Sequence, residues 1–403
     1  MKRNRFTFAA ALAALGLSVV VPLAPAKDQE QVQTAPVIDV DAAKKIAAPA
    51  IKQPVIQLAI LLDTSNSMDG LIDQAKSQLW KIVNEFIAVK RDGQRPLLQV
   101  ALFEYGNDGL SAKENHIRLV LPLTDDLDKV SQQLFALKTN GGQEYCGAVI
   151  KAAIDRLEWS TNNADLKVVY IAGNEPFDQG SINFRESCKA AITKGIQVNT
   201  IFCGPTAEGV STFWKDGAVL ADGSFISIDS NAKVADVPAP QDKELAELGV
   251  KLNDTYVAYG KKAEEGKLNQ AAQDANSAAL APSVAAQRAV SKGSANYRNG
   301  AWCLVDSVFQ DNVKIEDIKD EDLPENMKKM TLPQRKEFLE TKKKEREELQ
   351  KKIGTLSVDR AKFVEAEQKK IAEKSGVETL DTAVIKTVRK QAEAKNYKFE
   401  VVK

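Results

Sequence analysis

Residues 55–259 predict an α/β fold, a doubly wound and mostly parallel six-stranded sheet with one antiparallel edge strand, followed by a charged α-helical C-terminal region. Three observations carry that reading. Short, nearly continuous apolar runs of strand length recur along the chain, and stretches with apolar residues every three or four positions stand between them. Beyond about residue 311 the sequence turns dense in Lys and Glu, with apolar positions sparse. A continuous apolar run suits a strand covered on both faces, and its alternation with helices implies right-handed crossovers.

The first strand is read at 55–62 (VIQLAILL), and a helix at 70–90, where Leu71, Ala75, Leu79, Ile82, Phe86 and Ile87 keep helical spacing. Residues 97–105 and 116–123 form the next two strands. The Gly-, Asn- and Ser-containing connection between them is short enough for a hairpin, so the second of the pair is the antiparallel edge. Helices follow at 127–137 and 144–157, a strand at 166–171, a helix at 181–194, strands at 196–202 and 224–228, and a closing helix at 243–259. Residues 260–310 read as a connecting segment that packs on the sheet domain through the apolar island 297–306. Residues 311–403 read as solvated helices joined near Gly354. Their apolar positions keep no clean heptad, so a coiled coil is one option. A last amphipathic stretch, 379–394, is suited to fold back as a hairpin partner.

The N-terminus has the order of a secretory signal peptide: Lys2, Arg3 and Arg5, an apolar run from Phe6 to Leu23, then Ala24-Pro25-Ala26, with cleavage expected after Ala26. Residues 27–54 read as a flexible linker. The mature chain is expected in the periplasm or outside the cell, with no integral membrane segment. Four cysteines, Cys146, Cys188, Cys203 and Cys303, are an even number in an oxidising compartment. Two disulfides are therefore expected, with three pairings open and buried free thiols as the alternative.

Composition removes several function classes. One histidine, His116, excludes a site built on several imidazoles. It is expected at the start of the edge strand, away from the loop after the first strand, so no Ser-His-Asp chemistry and no catalytic residue is assigned. Lys and Arg balance Asp and Glu at 55 each, and no basic stripe marks the N-terminal two-thirds, which argues against nucleic acid as a partner. There is no GxGxxG after the first strand and no P-loop.

The chemistry-bearing segment is Asp63-Thr64-Ser65-Asn66-Ser67-Met68, at the carboxyl end of the first strand, where open α/β sheets gather their ligands. Asp63, Ser65 and Ser67 alternate along a tight loop and present hard oxygens suited to Mg²⁺ or another divalent cation. The same residues would also serve as a helix N-cap. ILLDTSNSM, within the α/β series 55–259, resembles the von Willebrand factor type A (VWA) family, over about half the chain. The resemblance implies a metal-ion-dependent adhesion site, with the cation on Asp63, Ser65 and Ser67 and a partner's carboxylate completing the coordination.

Two loops depart from the family pattern. Gln143 stands where a threonine is usual, leaving Gln143 or Glu144 to supply an oxygen. Gly173 stands where an aspartate is usual, with Glu175 or Asn174 as neighbouring substitutes. Tyr145, Phe177 and Phe184 lie in or near the same loops as candidate contact anchors. The function expected is protein binding, adhesion or scaffolding in the cell envelope, with possible self-association through the C-terminal helices. The alternative is an envelope hydrolase or an accessory subunit of a metal-handling complex using the same loop.

Overall fold

The apolar run Val55–Asp63 forms β1, a central strand, in the computed structural model, which describes residues 53–87, 89–228, 237–375 and 380–399. Helix α1 (Asp69–Asn84) follows and turns Leu71, Ile72, Leu79, Trp80 and Val83 inward. The chain then runs through β2 (Val89–Lys90), β3 (Leu97–Tyr105) and β4 (Ile117–Thr124). Next come α2 (Leu127–Ala136), α3 (Cys146–Arg156), β5 (Leu166–Gly173), α4 (Phe184–Thr193) and β6 (Gln197–Cys203), and then α5 (Thr206–Ser211), α6 (Trp214–Leu220) and β7 (Phe225–Ile228). Side-chain caps fix two of the helix starts: Asp126 accepts from Lys129 N ahead of α2, and Asn183 accepts from Arg185 N ahead of α4.

The main sheet has the order β4-β3-β1-β5-β6-β7, and every neighbouring pair is parallel except β3 with β4. This is the six-stranded α/β sheet with one antiparallel edge that the sequence predicts. From β1 the chain crosses to β3 on one side and later to β5 on the other. The crevice of the sheet therefore opens beyond Asp63. One face packs Trp80, Leu79, Leu102, Val168 and Tyr170 together. The other packs Val149, Ile150, Phe103, Ile171, Phe202 and Trp214.

After β7 the described chain is helical: α7 (Asp242–Leu252), α8 (Ala263–Leu280), α9 (Pro282–Lys292), α10 (Leu304–Phe309), α11 (Glu325–Lys328), α12 (Leu332–Ser375) and α13 (Leu380–Ala394), with β8 (Lys398–Phe399) at the end. The 260–310 stretch thus holds the long helix α8 as well as α9. Its island divides, with Tyr297 joining the sheet core and Trp302, Cys303, Leu304 and Val305 packing on Ile315, Leu323, Met327 and Leu339. The joint read near Gly354 is absent: α12 continues through it without a break, because one glycine costs a helix only about 1 kcal/mol.

The last element returns to the sheet. Val384, Val388, Ala392 and Tyr397 enter the same core as Trp80 and Tyr170. The side-chain amides of Asn199 and Gln391 exchange two hydrogen bonds, at 3.0 and 2.9 Å. β8 pairs antiparallel with β2, and Tyr397 Oη donates to Val55 O at 2.8 Å. Arg91 reinforces this seam through Tyr397 and Asp165.

The expected disulfides are not formed. All four cysteines are buried free thiols, distributed over three separate apolar clusters: Cys146 and Cys188 in one, Cys203 in a second and Cys303 in a third. Among the described residues, no helix is long and apolar enough to cross a membrane. The expected signal peptide, 1–26, and nearly all of the expected linker, 27–54, lie outside the described residues.

Candidate functional site

Three parallel strands end side by side. In the ladder Asp63 stands opposite Tyr105, and Leu62 opposite Ala172, so the ends of β1, β3 and β5 bring Asp63, Tyr105 and Gly173 into one row. The loop after β1 then turns back on itself. Ser65 N donates to Asp63 Oδ1 at 2.7 Å, the hydroxyls of Ser65 and Ser67 lie 3.1 Å apart, and Ser67 Oγ donates to Asn174 Oδ1 at 3.3 Å. Neither serine is tied to a helix amide, so the N-cap alternative does not describe them; the bond from Ser65 N to Asp63 Oδ1 closes the turn ahead of the helix instead.

The second loop, 138–144, docks on the first. Asn140 N donates to Thr64 O at 2.9 Å, Asp108 N to Gly141 O at 2.6 Å, and Asn107 Nδ2 to Lys138 O at 3.0 Å. This docking delivers Glu144 against Asp63. Both carboxyl groups are buried, at 0% exposure for Asp63 and 3% for Glu144, and they lie within hydrogen-bonding reach of each other and of Ser65. Asp63 Oδ2 and Glu144 Oε2 are each buried without a donor. Burial, followed by the adjacent Glu144 carboxyl, pushes the Asp63 carboxyl well above the usual aspartate range. Burial likewise raises Glu144, with the charge of Glu175 adding to the shift.

Two close approaches seal the floor. Gly106 has φ +77°, and a Cβ there would sit 2.7 Å from Asp63 Oδ1, so the chain passes against the carboxylate only because the position is glycine. Tyr105 Oη donates to Ala172 O at 3.0 Å and lies where a side chain at position 173 would go. Burial pushes the Tyr105 phenol and the neighbouring Cys146 thiol well up, so both stay neutral.

The structure brings Asp63, Ser65, Ser67 and Glu144 together. Gln143 is exposed and accepts from Tyr145 Oη at 3.3 Å; Glu175 is exposed and accepts from Gln179 Nε2 at 3.1 Å. Asn174 joins the cluster in the place Glu175 would have taken. Of the three aromatic anchors, Phe177 and Phe184 are core residues packed on each other with ring centroids 5.1 Å apart, and Phe177 also packs on Trp214, because the apolar pocket behind α6 takes them. Tyr145 alone stays half-exposed. His116 is not remote from this end: β4 runs antiparallel, so its first residues lie beside the end of β3, and the His116 ring stands 6.1 Å from Tyr145.

Among the described residues, no group of three or more His, Cys, Asp and Glu gathers to hold a metal ion. A cation here would depend on two carboxylates together with hydroxyl and amide oxygens. That donor set is hard throughout and fits Mg²⁺, Mn²⁺ or Ca²⁺, and the two orphaned carboxylate oxygens are the vacancies in hydrogen bonding that such an ion, or a shared proton, would satisfy.

A family model for the von Willebrand factor type A domain matches residues 57–210. No curated protein matches the sequence. Solved structures similar to it include a conserved hypothetical protein, BatB, from Bacteroides thetaiotaomicron, at 17% identity over 43% of this chain and 90% of that one, with a TM-score of 0.34. The VWA domain of SpRpn10 gives 17% identity, 43% and 88% coverage and a TM-score of 0.34. An aerotolerance-related membrane protein from Bacteroides fragilis NCTC 9343 gives 18% identity, 44% and 93% coverage and a TM-score of 0.30.

Proposed function

Taking as premise that residues 57–210 are a von Willebrand factor type A domain, we propose that this protein is exported to the cell envelope and binds another protein there, gripping it through a divalent cation at the end of β1. The observation that carries the reading is the pair of buried carboxyl groups, Asp63 and Glu144, which face each other with an oxygen apiece lacking a donor. Two acids brought together without a base repel once ionised, and a bound cation removes that repulsion.

Asp63, Ser65, Ser67 and Glu144 would hold the ion, and the ion supplies a positive centre for a partner's carboxylate. The rest of the work falls to the chain itself. The bond from Ser65 N fixes the Asp63 carboxylate, and the docked 138–144 loop holds Glu144 against it. Ser67 is exposed and forms the outer lip of the site, where a partner would arrive. Export rests on the order of charge, apolar run and small residues in 1–26. A hydrolytic use of the loop finds less support, since the exposed hydroxyl, Ser67, bonds to Ser65 and Asn174 rather than to a carboxylate base.

Mn²⁺ titration of the mature chain, read by the paramagnetic resonance of the free ion, tests the site. Uptake by the wild type and its loss in Ser65→Ala are expected, together with capture of an envelope protein that chelator releases. No uptake at millimolar Mn²⁺, with capture indifferent to chelator, would remove the ion from the mechanism.

A further inference from the structure

The loop after β5 has no acidic side chain at the site, yet it approaches closely. Gly173 stands in the row with Asp63, and a Cβ there would fall 2.5 Å from Tyr105 Oη and 3.2 Å from Asp63 Oδ2. The phenol is held by Ala172 O and is wholly buried, so it cannot withdraw. Position 173 is therefore closed to any carboxylate. Glu175 is turned away to Gln179, while its backbone carbonyl accepts from Trp214 Nε1 at 2.8 Å, which pins that part of the loop. Between them Asn174 directs its amide oxygen at Ser67 Oγ. The polar oxygens thus form a continuous run, Glu144 and Asp63 to Ser65 to Ser67 to Asn174.

We infer that Asn174 is a further cation ligand and that the site's charge is divided between loops in a set way: both carboxylates come from β1 and the 138–144 loop, and the loop after β5 contributes a neutral amide oxygen. The inference rests on the cation reading above. Its physical reason is local. Asp63 and Glu144 already place two acids in a poorly solvated pocket, and a third would raise the cost of the ion-free state. A carboxamide oxygen adds a hard ligand at no such cost. The division also makes Glu144 and Asn174 exchangeable in charge, since Glu144 stands beside Ser65 and Asn174 beside Ser67, whose hydroxyls are 3.1 Å apart.

Mn²⁺ affinity is measured on the mature chain by the same resonance titration, with thermal melts confirming that each variant folds. Asn174→Ala should weaken binding by roughly tenfold or more, since losing even a partner that only orients a ligand costs about 10–100-fold. Asn174→Asp should tighten binding while lowering the melting temperature in chelator. Glu144→Gln should weaken binding, and Glu144→Gln with Asn174→Asp should recover it, which a merely structural Asn174 would not do. Glu175→Ala should bind as the wild type. Wild-type affinity in both Asn174 variants, with Ser65→Ala still inactive, would overturn the role of Asn174 and leave the cation reading standing. Absence of Mn²⁺ uptake by the wild type would overturn both.

Discussion

In the helical half of the molecule, Arg288 lies fully buried with its guanidinium on Asp128 and Asp274, stacked over Trp80 at 4.5 Å, while Lys292 reaches Asp274, Asn253 and Gly249 O. At the loop end of the sheet, Asp63 is as deeply buried and faces Glu144. Burial alone would pull Arg288 down, but Asp128, Tyr297 and Asp274 outweigh it and the group is held above its ordinary value. Lys292 is drawn down to about 8 by the same burial, with Asp274 only partly offsetting it. Asp306 with Arg346, and Asp242 with Arg360, repeat the pattern where α12 meets the rest of the chain. Acid against base fixes helices in place; acid against acid leaves a demand that only something from outside the chain can meet. The difference separates architecture from site without reference to any family.

The largest expected effect lies on the architectural side. Arg288→Ala would leave Asp128 buried with only the Tyr297 hydroxyl as a partner and Asp274 held by Lys292 alone among bases, and a loss of about 3–5 kcal/mol is expected from denaturant unfolding of the mature chain. A loss below 1 kcal/mol would mean that the paired charges are decoration and would break the comparison there. Next comes the site: Mn²⁺ at about 100 times its dissociation constant should stabilise the protein by roughly 2.7 kcal/mol, a gain absent from Ser65→Ala. Smaller again is the seam that closes the sheet. Tyr397→Phe removes the donor to Val55 O and the acceptor for Arg91, and about 1 kcal/mol should be lost, with faster hydrogen exchange in β8 and β2.

Sequence reasoning reached these two halves unequally. The buried strands announce themselves because VIQLAILL, LLQVALFEY and LKVVYIAG are apolar almost throughout, and Asp63, Ser65 and Ser67 are adjacent in sequence as well as in space. Glu144 is within reach as one of two alternatives, since the docking of the 138–144 loop decides between it and Gln143, and long-range bonds to Thr64, Asp108 and the Asn107 amide set that docking. Position 173 is closed by the bulk of Tyr105, sixty-eight positions away in the chain, and Asn174 is chosen over Glu175 because Gln179 and Trp214 hold Glu175 elsewhere, none of which local pattern shows.

The helical half was less legible for a different reason. The buried face of α8 is Gln270, Gln273 and Ser277, which bond Tyr297, Ser131 and Trp80, so no apolar period marks it. The amphipathic character of α13 was plain, but Val384, Val388 and Ala392 would suit many grooves, and the long-range amide exchange with Asn199 selects the sheet. An even cysteine count suggests bridges, yet the thiols behave as small apolar side chains spread over three clusters.

The effect of pH on the acid pair sharpens the comparison most. Because the Asp63 carboxyl is held above its ordinary value in the folded protein, folding takes up protons there as the pH rises past the unfolded value. The stabilisation tied to the protonated pair is therefore complete in acid, below the ordinary aspartate range, and is lost as the pH climbs through the raised folded value. In chelator, wild-type stability should fall across that window, and Asp63→Asn should flatten the fall because the amide cannot ionise against Glu144. At neutral pH without ion, Asp63→Asn is then the more stable protein; in excess Mn²⁺ the wild type overtakes it, because only the carboxylate gains from the ion. A paired acid such as Asp128 can show no such reversal, since its counter-charge is Arg288 and is present whatever the solution contains. If Asp63→Asn is less stable than wild type in chelator at every pH, the acid pair is itself architectural, and the division between the two regions fails at its most exposed point.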